Sequence, residues 1–189
     1  MDEAERELLR RCAEGERVAF EELYARYYRR LFGFALKITR RAELVEEVVN
    51  DVLLAVWREA ARFDGRSRVS SWIFGIAWRQ SLKALERDRR RSALEANAVA
   101  HQEAFDPSPG PERVAAARER GGAVRRAITE LSPEQRAVVE LTFFEGLSYP
   151  EIATILACPV NTVKTRMFHA RRKLRELLPN LGAAGVGPG

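Results

Sequence analysis

With 189 residues, 46% of them hydrophobic, a formal net charge of +5 and a pI near 9.6, the chain can bury one sizeable core or two small ones and favours a polyanionic partner. Its two cysteines, Cys12 and Cys158, stand in no CxxC or Cys/His cluster, so reduced thiols are expected, with no disulfide framework, metal or cofactor. No apolar run suits a signal peptide or approaches the roughly 18 residues of a membrane span; no membrane insertion and a cytoplasmic location are expected.

Apolar residues recur at helical rather than alternating spacing along most of the chain, which predicts an all-α protein. The first stripe is Phe20, Leu23, Tyr24, Tyr27, Leu31, Phe34, Ala35 and Ile38. A second follows at Leu44, Val45, Val48, Val49, Val52, Leu53, Val56 and Trp57, broad enough for burial to outweigh the modest helix propensity of valine. This second helix carries Glu43, Glu46, Glu47 and Asp51 with no base between residues 43 and 51. Such a face repels DNA and suits a basic protein partner.

The next loop contains Asp64-Gly65 and Ser67, Ser70 and Ser71, which are turn or N-cap residues. A third stripe, Val69, Trp72, Ile73, Ile76 and Ala77, leads to a basic end at Lys83, Arg87, Arg89, Arg90 and Arg91. Trp78 lies off this stripe beside Arg79. It either stacks on an unpaired base next to a basic surface or packs with Leu82 and Leu85 against another helix.

Periodicity fails between about Ala93 and Gly122, where Pro107, Pro109 and Pro111 favour an extended tether. Residues 1–92 carry 20 basic and 16 acidic side chains, residues 93–122 carry 3 and 5, and residues 123–189 carry 9 and 6. The expected organisation is a helical domain over 1–92, a linker over 93–122 that includes a short helix near Arg113–Arg120, a second helical domain over 123–180, and a disordered tail over 181–189.

Capping chemistry marks the second domain. Ser132-Pro133-Glu134-Gln135 has the serine, N1 proline and N3 glutamine of a capping box, Gly146 is placed to end that helix, and Ser148-Tyr149-Pro150-Glu151 repeats the device. Asn161 is expected to cap the last helix after a turn beginning near Ala157, a helix-turn-helix spacing. On that helix Val163, Met167, Ala170, Leu174 and Leu177 should face the core, leaving Lys164, Thr165, Phe168, His169, Arg171, Arg172 and Arg175 outside. Six cations and no acid lie between Lys164 and Arg175. Cations for phosphates and guanine edges, a hydroxyl and an exposed ring for thymine methyls suit the DNA major groove.

Taken together, these features resemble the extracytoplasmic-function (group 4) sigma factors of bacterial RNA polymerase. Val48-Val49-Asn50-Asp51-Val52-Leu53 through Trp57, Phe63-Asp64-Gly65 and Ser71-Trp72-Ile73-Phe74-Gly75-Ile76-Ala77 resemble region 2, and the capped pair ending in Asn161-Thr162-Val163-Lys164-Thr165-Arg166 resembles region 4. The resemblance implies a transcription initiation factor that binds core polymerase through its clamp helices and flap, using Glu47, Asn50, Asp51 and Leu53. It implies that the Asp64–Ser70 loop, with Asp64, Gly65 and Ser67, holds a flipped base of the −10 element. Trp72, Trp78, Arg79, Lys83 and Arg87 would line the melted strand. Lys164, Thr165, Arg166, Phe168, His169 and Arg172 would read the −35 element, and an anti-sigma factor would be a partner. The family usually has Gln at the position of Asn50, Gly at that of Asn161 and a smaller residue at that of Trp78.

Two other classes share the C-terminal motif. A serine recombinase needs an early nucleophilic serine, but the first serine here is Ser67. A helix-turn-helix repressor or response regulator would carry a different N-terminal domain, one that begins with strands where a receiver is present. With His101 and His169 as its only histidines and no Gly-rich phosphate loop, the chain is expected to have no catalytic activity.

Overall fold

The computed structural model describes residues 2–98, 127–128 and 130–178, and among these every regular element is helical. The sequence-predicted linker and tail, including the short helix near Arg113–Arg120, lie outside the described residues.

Four helices form the N-terminal bundle: α1 (Asp2–Ala13), α2 (Arg17–Thr39), α3 (Ala42–Glu59) and α4 (Val69–Ala98). The periodicity expected α2, α3 and α4. It did not anticipate α1, whose apolar face is only Leu8, Leu9 and Cys12, all buried. The helix is otherwise charged, with acids at its start and Arg10 and Arg11 in its last turn, where each sign complements the helix dipole. α2 ends where Arg40 turns left-handed at φ 58° and donates its N–H to the Leu36 carbonyl. The valine stripe of α3 is fully used: Val45, Val48, Val49, Val52 and Val56 are each no more than 2% exposed. At about 1.5–3 kcal/mol per buried aliphatic side chain, that burial outweighs the few tenths per residue that valine costs a helix.

The C-terminal bundle contains α5 (Pro133–Phe143), α6 (Tyr149–Ile155) and α7 (Val160–Leu177). Ser132 caps α5 as expected, its hydroxyl accepting from the Gln135 N–H at 3.2 Å while its own N–H donates to Gln135 Oε1 at 3.1 Å. The Ser148 N–H donates to Glu151 Oε2 at 2.8 Å at the start of α6. Gly146 follows α5 at φ 63°. Three local expectations need correction. α7 starts two residues earlier than foreseen, with Pro159 as its N-cap, so Asn161 sits inside the first turn and caps nothing; the fixed φ of proline and the left-handed Ala157 at φ 48° make the turn instead. Ser70 and Ser71 are inside α4 and buried rather than capping it. Leu177, in the last turn of α7, is 43% exposed because no described element covers that end.

The two bundles pack together, α2 against α5 and α4 against α6, and share one buried apolar cluster. Polar contacts tie the seam. Lys37 Nζ donates to Glu140 Oε1 at 2.5 Å, Arg30 Nε to Glu145 Oε2 at 2.9 Å, and Arg136 Nη2 to the Ile38 carbonyl at 3.2 Å. Ser71 Oγ donates to Glu151 Oε1 at 3.0 Å, with the Arg68 guanidinium 3.8 Å from the same oxygen. The Lys37 ammonium also sits 3.9 Å from the centroid of the Phe144 ring.

Candidate nucleic-acid interface

α7 owes its orientation to Val163, Met167 and Ala170, which are 0%, 2% and 0% exposed and fix the inner face at i, i+4 and i+7. The outer face follows from that register. Lys164, Thr165, Phe168, Arg171, Arg172 and Arg175 are exposed, and Arg166 and His169 are half-buried. Phe168 is 63% exposed and, among the described residues, has the His169 ring as its one aromatic neighbour, edge-on at 5.5 Å. Thr165 Oγ1 donates back to the Asn161 carbonyl at 2.9 Å, which leaves the hydroxyl oxygen able to accept. Arg166 reaches toward the turn and donates to Cys158 Sγ at 3.4 Å. A cleft of about 350 Å³ separates the start of α5 from α7, lined by Ser132, Gln135, Asn161, Thr165, Arg166 and His169 among others. Of the six residues expected to read the −35 element, Lys164, Thr165, Phe168, His169 and Arg172 lie along the outer side of α7, whereas Arg166 sits at its margin and is turned to the Cys158 sulfur.

The second cationic face is on α4. Arg79, Lys83 and Arg87 are exposed at successive i+4 positions and span about 12 Å of helix. Trp72, half-buried at the start of the helix, packs its ring 5.5 Å from that of Phe63. Trp78 behaves differently. It is 6% exposed and belongs to the core, so of its two sequence readings the structure has the packing one, and in this conformation the ring offers no surface to a base. The error is one of angle: position 78 lies one turn beyond Phe74, close enough to the buried stripe for its large ring to be drawn into the core.

The loop before α4 is shaped by a residue that the periodicity did not single out. Gly65 adopts φ 72°, and Arg6 of α1 donates Nη1 to its carbonyl at 2.9 Å and Nη2 to the Ser67 carbonyl at 3.0 Å. Within the loop the Arg66 N–H donates to Asp64 Oδ1 at 3.0 Å. Asp64 is exposed, and Ser67 is half-buried. The sequence signal for Arg6 was absent because its partners are backbone carbonyls about sixty residues away.

On α3, Glu47 and Asn50 are exposed and Asp51 is half-buried. Leu53 corrects the expected polymerase-binding set: at 2% exposure it is a core residue, and Leu54, 44% exposed, takes the outward place beside Asn50. Glu47 is paired with Arg87 of α4 at 2.6 Å, which joins the acidic face to the basic one. Glu151 of α6 lies against the start of α4, where it accepts from Ser71. Burial pushes it up, but hydrogen bonds from Ser148 and Ser71 and the charge of Arg68 hold it below the usual carboxylate range.

A helix-turn-helix reader with an apolar-cationic outer face, joined to a second helical domain bearing a cation row and an acidic helix, defines a two-domain DNA-binding protein. The family model described as Sigma-70 region 2 matches residues 23–91, and that described as Sigma-70, region 4 matches residues 121–174. The ECF RNA polymerase sigma factor SigK of Mycobacterium bovis is 33% identical over 177 residues, covering 90% of this chain and 91% of that protein. RNA polymerase sigma-H factor of Pseudomonas aeruginosa is 29% identical over 185 residues, covering 95% and 96%. The solved structure of the sigma factor RpoE with the anti-sigma factor NepR from Bartonella quintana has a TM-score of 0.65 and 26% identity, over 85% of this chain and 97% of that one. The chain belongs to the extracytoplasmic-function sigma factors of the sigma-70 family. It is a transcription initiation factor that recognises promoters with RNA polymerase, from a family of proteins that are not themselves catalysts.

Proposed function

We propose that α7 reads the −35 element, that the Asp64–Arg68 loop with Trp72 and the Arg79, Lys83, Arg87 row captures the melted −10 strand, and that α3 docks on polymerase through Glu47, Asn50, Asp51 and Leu54. The observation that carries this reading is the outer face of α7, where Phe168 stands 63% exposed among cations and, among the described residues, has no packing partner beyond the edge of His169. Cations along α4 position a single strand through its phosphates, and a splayed base needs a pocket of fixed backbone rather than a deep cavity. Trp78 acts as the core support of that row. The functional units are residues 1–92 and 123–180, the first for polymerase and −10 contacts, the second for −35 contacts, joined by a linker over 93–122. The chain works in the cytoplasm, turns over no substrate of its own, and binds an anti-sigma factor, a partner with which the related RpoE has been solved.

Promoter use requires the bundles to part. Elements centred at −35 and −10 are about 25 base pairs apart, roughly 85 Å of duplex at 3.4 Å per step. Here the start of α4 touches α6 at 3.0 Å, and α7, at 18 residues, is only about 27 Å long. One chain reaches both elements only after α6 leaves α4. Footprinting of the chain with core polymerase on a promoter fragment tests the reading: protection of both elements supports it, and protection of one contiguous patch of about ten base pairs contradicts it.

A further inference from the structure

We propose that Arg6 is a positioning residue for −10 recognition, which rests on the reading of the Asp64–Arg68 loop given above. Its guanidinium closes a fork on the Gly65 and Ser67 carbonyls at 2.9 and 3.0 Å and lies 5.7 Å over the Phe63 ring, so one side chain from α1 holds two carbonyls of the loop and the ring that precedes it. The fork also bears on which residue stands at position 65. The backbone at residue 65 is at φ 72°, which favours glycine, and a Cβ there would come within 2.9 Å of Arg6 Nη1 and push the guanidinium off its fork. With both carbonyls held by a charged donor, the Arg66 N–H remains turned to Asp64 Oδ1, which sets the outward aim of Asp64. A lysine ammonium lacks the planar fork and cannot bond both carbonyls in this geometry.

The test is in vitro transcription by the full chain with core polymerase on templates carrying each base at each −10 position, with Arg6→Lys and Arg6→Ala. The expected result is a roughly tenfold loss of discrimination between the preferred and other bases at the position read by the loop, with −35 preference unchanged, as when one charge-assisted bond is lost. Arg6→Lys, which keeps the charge and the stem, should lose discrimination while retaining the wild-type melting temperature. A loss that scales all templates equally would overturn the positioning role, as would unchanged discrimination. If the wild-type chain itself shows no −10 preference, the loop reading fails and the role of Arg6 with it.

Discussion

Replacing Trp78 by alanine separates a packed side chain from a DNA-stacking one. Trp78 is 6% exposed within the N-terminal core, so its removal should cost about 3–5 kcal/mol, the range for deleting a buried aromatic, with the cavity adding to the lost transfer energy. The area estimate agrees: 150–250 Å² at about 25 cal/mol/Å² gives roughly 4–6 kcal/mol. For a bundle of about a hundred residues each kcal/mol shifts the melting temperature by about 4–8 °C, so a fall of at least roughly 12 °C is expected in a circular-dichroism melt. Trp78→Phe should recover most of it. Arg79→Ala is the control, since Arg79 is exposed and its loss should change stability by no more than about 0.5 kcal/mol while weakening single-strand binding. A Trp78→Ala chain that melts within a few degrees of wild type yet fails to open promoters would refute the packing argument.

Neighbouring leucines on α3 should part in the same way: Leu53→Ala should cost about 2–5 kcal/mol in urea unfolding, whereas Leu54→Asp should leave stability near wild type and weaken polymerase capture in a pull-down. Phe168→Ala, at an exposed position, should change unfolding free energy by no more than about 0.5 kcal/mol while lowering −35 duplex affinity in a binding titration; a stability loss with intact affinity would assign the ring to packing. Closure should also depend on pH. Burial holds the Glu140 carboxyl above its usual range despite the hydrogen bond and charge of Lys37, and Glu145, itself paired with Arg30, pushes the same way. The closed form thus binds the proton more tightly than the open form. Its added stability is full below the ordinary carboxylate range and is lost as pH rises through the raised value. Interdomain energy transfer should increase as pH falls from neutral toward about 5, and Glu140→Gln should flatten the response.

Much of the fold was legible because its signals are local. The α2, α3 and α7 stripes are dense, and the Ser132 and Ser148 boxes satisfy backbone donors within four residues, so spacing alone places them. The outer face of α7 followed from its inner one. What the sequence did not disclose depends on distant partners. α1 has too few apolar residues for a stripe, and Arg6 acts on carbonyls of another element. Leu53 and Trp78 were misassigned because a helix face is about 100° wide and a residue at its margin goes in or out according to what packs on it. The seam was invisible for a further reason: Lys37, Arg30, Glu140 and Glu145 read individually as solvated surface charges, and only the approach of the two bundles pairs them.

The account stands most directly on promoter-specific initiation. In vitro transcription with core polymerase over a promoter library should yield defined transcripts only when this chain is added, with base preferences confined to two blocks about 25 base pairs apart, the spacing of −35 and −10 elements, as about 85 Å of duplex requires. Nanomolar binding to duplex without core, together with no chain-dependent transcript, would contradict it and make the α7 reader that of a repressor.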